Sequence, residues 1–174
     1  LSQRITTTRE RKMTSTNKLE VALVGETEIH MTRKFNFPKA LVYNAFADHE
    51  NHKHWLGSSF GTIVECYGKP EISAPWSFKT DMGEHGVHHM FGQCLEAIPN
   101  EKFVRTFIYN VPEIREYASV EVATFSEENG ITDLKVVVKH LCKEARDGHA
   151  NSGMEQGAAS SYDALERYLG EQES

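Results

Sequence analysis

The residue types that most often do chemistry are unevenly spread along this 174-residue sequence. Its 9 histidines include two tight groups, His49, His52 and His54, then His85, His88 and His89. Imidazoles hold a metal when they converge from helical i, i+4 positions or from adjacent strands. Neither group has that spacing, so both are expected to be exposed polar residues, and no metal or other cofactor is expected. Covalent catalysis needs a Ser or Cys beside a base and an oxyanion site, and no GxSxG elbow occurs. Cys94 and His88 share a strand face, but the extended chain between them keeps them about 20 Å apart. Glu113, Glu127 and Glu128 fall in turns and read as solvated surface. Cys66, Cys94 and Cys142 form no CxxC arrangement, as expected of small buried hydrophobes in a reducing compartment.

The aromatic residues point elsewhere. Trp76 with Phe78, His89 with Phe91, and Phe103 with Phe107 and Tyr109 each repeat at strand parity. If these faces line the concave side of a sheet, with Trp55 at the entrance, they make an apolar pocket with a few polar points, the usual composition of a small-molecule site. The same residues equally describe a filled core. Arg105 shares the parity of Phe103 and Phe107. Facing inward it would need a ligand carboxylate or an internal acid, and the expected arrangement is a β-bulge that turns it outward.

The elements that would position these side chains can be read from hydrophobic period. Residues 1–27 carry Arg4, Arg9, Arg11, Lys12 and Lys18 among Ser and Thr and read as a flexible basic tail. From Glu28, Ile29, Met31, Arg33 and Phe35 alternate with His30, Thr32 and Lys34, which predicts a half-buried strand opening a domain over 28–170. Pro38 suits a helix start, and Leu41, Val42, Ala45 and Phe46 recur at helical spacing before a second short helical segment ending near Gly57. Strands are expected at about 62–67, 71–80, 86–98, 103–110, 116–125 and 132–140, separated by Gly, Pro and Asn turns that favour hairpins and an antiparallel sheet. In the last two, Val120 and Val122 are expected on the dry side with Leu134, Val136 and Val138, and Glu121 on the wet side. A final helix is expected over 152–169, its thin apolar stripe made of Met154, Ala158, Ser161, Leu165, Tyr168 and Leu169.

Composition bounds the function. The mass of 19.7 kDa suits one core that needs no disulfide or metal staple. A net charge of −6 has the wrong sign for a protein whose main partner is a phosphate backbone, so no nucleic-acid partner is expected. No apolar run approaches the roughly 20 residues of a membrane span, and no signal-peptide core is present, so the reading is a soluble, cytoplasmic protein, monomer or weak dimer.

Taken in order, several motifs resemble the SRPBCC, or START-like, helix-grip superfamily, in the branch related to the activator of heat-shock-protein-90 ATPase. They are the stretch from Thr32 to Tyr43, Ala45-Phe46-Ala47-Asp48 leading to His54-Trp55-Leu56-Gly57, Trp76-Ser77-Phe78, Phe91-Gly92-Gln93, the run from Leu95 to Lys102, and the ending from Tyr162 to Leu169. The resemblance implies an α+β fold, a curved antiparallel sheet wrapped around a long C-terminal helix, with two short helices after the first strand. Two departures stand out. Gly157-Ala158 replaces the Gly-Trp usual near the start of that helix, and Phe37 stands where the family has a small residue, so it packs rather than caps. The expected function is binding of a small, largely apolar, lipid-like or aromatic ligand between sheet and helix by Trp55, Trp76, Phe78, His89, Phe91, Arg105, Phe107 and Tyr109. Two alternatives are a protein-interaction module acting on a chaperone ATPase and a cyclase-like enzyme, and the first expectation is that the chain is not an enzyme.

Overall fold

The computed structural model describes residues 17–57, 61–110, 112 and 115–173. The chain runs β1 (Glu20–Val24), β2 (Glu28–Phe35), α1 (Lys39–Ala47), a 3-10 turn (His49–His54), β3 (Thr62–Tyr67), β4 (Pro75–Asp81), β5 (Val87–Ile98), β6 (Lys102–Tyr109), β7 (Ser119–Glu128), β8 (Ile131–Lys139), α2 (Lys143–Ala150) and α3 (Met154–Gln172). The strands form one 8-stranded antiparallel sheet in the order β1-β2-β8-β7-β6-β5-β4-β3. It curves around α3 in the helix-grip arrangement.

Local chemistry explains the elements. Asn129 and Gly130 both take positive φ, 53° and 76°, the conformation that a two-residue hairpin between β7 and β8 requires. Alternate residues of β8, Thr132, Leu134, Val136 and Val138, are buried against the core, as are Ile29, Met31 and Phe35 of β2. α1 and α3 supply Val42, Tyr43, Phe46, Tyr162, Leu165 and Leu169 to the same core. Pro38 precedes α1 and accepts from the N–H groups of Leu41 and Val42, while Glu127, at the end of β7 rather than in the turn expected for it, accepts from Lys39 N at 2.9 Å and caps the helix. Phe37 is buried in the core, as its size implied. Arg33, also buried, reaches Asp163 at 2.6 Å and Glu166 at 2.8 Å and ties α3 to β2.

Four sequence expectations are corrected. The sheet begins at Glu20, not Glu28: Glu20–Val24 pairs with β2 inside the stretch read as a tail, of which residues 1–16 lie outside the described residues, as does Glu113. The strand expected from residue 71 starts at Pro75, because Ala74 N closes a turn on Glu71 O and Ser73 has φ 68°. α2 was not anticipated; Arg146, buried on it, binds Gly25 O and Glu28 O at the β1–β2 turn. In β7 the register opposite β8 pairs Glu121 with Val138 and Ala123 with Val136, so Glu121 faces inward and Val120 and Val122 face out. The small size of Ser119 and Ala123 hides the inward face of this strand from a hydrophobicity count.

Candidate functional site on the concave face

The sheet register decides which aromatic residues meet. Directly opposed residues of an antiparallel pair share a face. The pairs Trp76↔Gly92, Phe78↔Met90 and Met90↔Tyr109 therefore gather Trp76, Phe78, Met90 and Tyr109 on the concave side with Phe107. The pairs Lys79↔His89 and Ser77↔Phe91 put His89 and Phe91 on the outer side. The expected single aromatic face is thus corrected: His88 and Met90, not His89 and Phe91, are the inward residues of this part of β5. Trp55 is corrected too. It is buried in the core, stacked on Phe46 at 5.8 Å and donating to Ala45 O at 3.0 Å, and does not stand at an entrance.

Trp76 lies across the sheet. Its Nε1 donates to Thr106 O at 3.0 Å, two strands away, over Gly92 on the intervening β5. A Cβ at Gly92 would meet Thr106 O at 2.0 Å and Trp76 Nε1 at 2.8 Å, so only glycine leaves room for this indole. Locally the β5–β6 ladder yields to side chains, with Gln93 N donating to Thr106 Oγ1 at 2.9 Å. The other side of the indole stacks on His49 at 4.9 Å.

Arg105 points inward. The bulge that was expected to turn it out lies one step further along the partner strand, between Cys94 and Glu96. The internal acid is Glu121, directly opposite on β7, which accepts from Arg105 Nε at 2.7 Å. Arg105 Nη1 donates to His49 Nε2 at 2.7 Å, which places the proton of that ring on Nδ1. Its guanidinium carbon lies 4.4 Å from the Trp76 ring centre and 5.5 Å from that of Phe107.

His49 and His52 are wholly buried, against the expectation of exposed polar residues; His54 and His85 are exposed. His52 Nε2 donates to Phe46 O at 2.8 Å, leaving Nδ1 bare. Burial, with Arg105 beside the rings, pushes His49 far below the ordinary imidazole range and holds His52 down to about 3, so both are neutral. Cys66 Sγ donates to His49 O at 2.6 Å, and burial raises this thiol and that of Cys94, away from thiolate character.

Beyond Trp76 and Phe78 the concave face opens. Phe107, Tyr109, Met90 and His88 are half-buried. Tyr109, raised by burial and so a neutral phenol, is hydrogen-bonded through its hydroxyl to His88 Nδ1. Gly57 N donates to Ser161 Oγ at 3.2 Å and ties α3 to this region, where a Cβ on Gly57 would stand 3.7 Å from the Phe78 ring. The four residues 157–160 at the start of α3 are small and half-buried.

The outer face offers a serine and an imidazole without the geometry of a nucleophile. Ser77 Oγ donates to Glu65 Oε1 at 2.5 Å and accepts from His89 Nε2 at 2.9 Å, so the imidazole gives a proton to the hydroxyl bond rather than taking one. The Ser77 hydrogen bond and Lys79 hold the Glu65 carboxyl below the usual range, while burial and then Lys79 lower His89. A shallow depression of about 310 Å³ on this side, lined by Glu20, Val21, Ala22, His30, Thr32 and Lys135, is remote from the aromatic row. Among the described residues no group of His, Cys, Asp and Glu is arranged to hold a metal ion, and no helix is long and apolar enough to cross a membrane.

Of the predicted residues, the fold brings together Trp76, Phe78, Arg105, Phe107 and Tyr109 and separates Trp55, His89 and Phe91. Sequence reasoning missed Glu121, His49, His88 and Met90. For Glu121 a signal existed, since Phe125 and Ala123 share its parity and an inward Arg105 demands an acid.

Solved structures share this architecture. A protein from Rhodobacter sphaeroides superposes with a TM-score of 0.81 at 18% identity, over 89% of this chain and 99% of its own. Proteins from Arthrobacter aurescens (0.76, 11%, 87% and 91%) and Nitrosomonas europaea (0.73, 17%, 87% and 99%) do likewise. No curated protein matches the sequence. At such identities these likenesses establish the fold alone, but the model of one family, activator of Hsp90 ATPase homolog 1-like protein, matches residues 36–170, from the turn before α1 through nearly all of α3. The helix-grip sheet, the tied C-terminal helix and that match agree: the chain belongs to the activator of Hsp90 ATPase homolog 1-like family.

Proposed function

We propose that this protein binds a small, largely apolar molecule on the concave face, between the sheet and the first turns of α3. The observation that carries the reading is the half-buried row Phe107, Tyr109 and Met90, continuous with buried Trp76 and Phe78 and ending on the inward Arg105. An apolar wall with one cationic point and a rim of phenol and imidazole orients a small molecule by its polar end while burial of apolar surface supplies affinity. Ala158, half-buried and packed against the core, stands where the resemblance implies an indole, so the helix side of this wall is the place to test for open volume.

The test is a thermal-shift and native mass-spectrometry screen of lipids, flavonoids and other aromatic compounds, run on the wild type and on Ala158→Trp. The expected result is an adduct or stabilisation in the wild type that the introduced indole abolishes without lowering Tm. A wild type that takes up nothing, with Ala158→Trp destabilised by about 1–3 kcal/mol through overpacking, would mean that the core is filled. Trp76→Ala is the poorer probe, because Trp76 also bridges β4 to β6.

The family match favours a second reading, a module that docks on a chaperone ATPase. Edge strand β3 and the turn after it expose Val64, Tyr67 and Ile72. Purified heat-shock-protein-90 ATPase assayed with and without this chain separates the two: changed ATP turnover that Val64→Glu abolishes, with no ligand uptake, supports docking.

A further inference from the structure

The charges around Arg105 balance within the protein. Its guanidinium is met by the Glu121 carboxylate at 2.7 Å, and both side chains are largely buried, 7% and 13% exposed. The other groups facing it add no charge, since His49 and His52 are neutral rings and Tyr162, pushed far up by burial, is a neutral phenol. Of the five guanidinium N–H bonds, Nε serves Glu121 and one on Nη1 serves His49. Nη2 makes no hydrogen bond among the described residues, and unlike Arg33 Nε, His49 Nδ1 and His52 Nδ1 it is not sealed off. A donor is therefore available beside Phe107, while the charge it carries is already matched.

We infer, on the binding reading proposed above, that the ligand is an uncharged, mostly apolar molecule whose carbonyl-class oxygen accepts from Arg105 Nη2, and not a carboxylate. A neutral acceptor gains a charge-assisted hydrogen bond without bringing a charge into the fold. A carboxylate at Nη2 would stand one guanidinium's width from Glu121, in a water-poor site where like charges repel strongly. The body of the molecule lies along Phe107 and Met90, and the Tyr109 and His88 pair stands about 13 Å from Arg105, four residues up β6, which sets the length of the groove. The Tyr109 hydroxyl and the His88 ring supply the polar groups of that far end.

The test is a matched pair of probes titrated into the full chain by calorimetry near neutral pH: 2-undecanone, a neutral carbonyl on an alkyl chain, and decanoate, an anion of similar length. The ketone is expected to bind at least about tenfold more tightly. Decanoate binding equally or better overturns the inference and leaves the pocket standing. If neither binds up to its solubility, the pocket itself is refuted and the inference falls with it. Glu121→Gln removes the balancing charge but keeps an acceptor for Arg105 Nε, so it should shift the ratio toward decanoate by about tenfold or more. An unchanged ratio in a folded variant overturns Arg105 Nη2 as the contact. The wild-type comparison decides the matter alone if the variant does not fold.

Discussion

Replacing Arg105 by Met tests whether the inward ion pair is bound into the structure as tightly as its geometry implies. Methionine keeps an apolar stem against Trp76 and Phe107 but removes the charge. Glu121 is then a stranded carboxylate on the concave face, and His49 Nε2 loses its donor. The gross attraction of two charges about 4 Å apart at an effective dielectric constant of about 20 is about 4 kcal/mol. Removing one member of a buried pair costs about 3–5 kcal/mol, to which the lost contact over two rings adds about 0.5–1. Arg105→Met is therefore expected to destabilise by about 4 kcal/mol, and Glu121→Gln, which strands the guanidinium but retains an acceptor for Nε, by about 3. The double variant strands no charge and should cost about 3 kcal/mol, less than the sum of the singles by about 4. Urea unfolding of the four proteins, followed by tryptophan fluorescence and extrapolated linearly, measures this coupling. A double variant whose cost equals the sum within about 0.5 kcal/mol, or an Arg105→Met variant costing under about 1, would refute the account of the site as a closed charge balance.

Three further outcomes are expected. Gly92→Ala should cost about 2–4 kcal/mol in urea unfolding, because its Cβ would fall 2.0 Å from Thr106 O and displace the Trp76 bridge, whereas Gly148→Ala in α2, with nothing within 4 Å, should gain about 0.5–1; equal effects would contradict the packing described. His52, held down to about 3 from 6.5, contributes stability that is complete above about pH 6.5 and is lost as pH falls, since only the unfolded chain takes up the proton. The loss from this ring should reach about 2–3 kcal/mol at about pH 4.5, with His49, His140 and His149 acting in the same direction, and His52→Gln should lower the slope of stability against pH by about one proton; an unchanged slope refutes it. Burial also raises the Cys94 thiol, so mass-spectrometric mapping after brief alkylation of the native protein should find Cys142 modified well before Cys94, and early labelling of Cys94 would contradict its enclosure.

Much of the scaffold was legible because its elements carry strong local periods. The β2 alternation Ile29, Met31, Arg33 and Phe35 and the β8 alternation Leu134, Val136 and Val138 each bury one face, and the structure keeps both. The first hairpin strand was hidden for the opposite reason. Glu20–Val24 is a short edge strand, mostly exposed, whose stability comes from pairing with β2 rather than from its own pattern. α2 was hidden because it buries Arg146 and little else, and buried arginines do not register as apolar period.

The site was only half legible, and the reason is one of parity. Each strand's parity is visible in sequence, but which parity faces the helix is set by register, and a slip of one residue exchanges the faces. In β5 the choice fell against His89 and Phe91 because Gly92 has to lie under Trp76, a demand made by a different strand. In β6 the inward choice for Arg105 is made tolerable by Glu121, which β7 presents only because Ser119 and Ala123, too small to look like core, share its side. His49 completes the set from a 3-10 turn whose composition, with three histidines, a lysine and a glutamate, reads as surface. Four segments distant in sequence thus supply one charge, its countercharge, a neutral acceptor and an indole wall. On the proposed binding reading, selectivity for the polar end of a ligand would reside in that convergence, and the charge balance at Arg105, rather than an apolar wall that a filled core would share, is what would favour a neutral oxygen there.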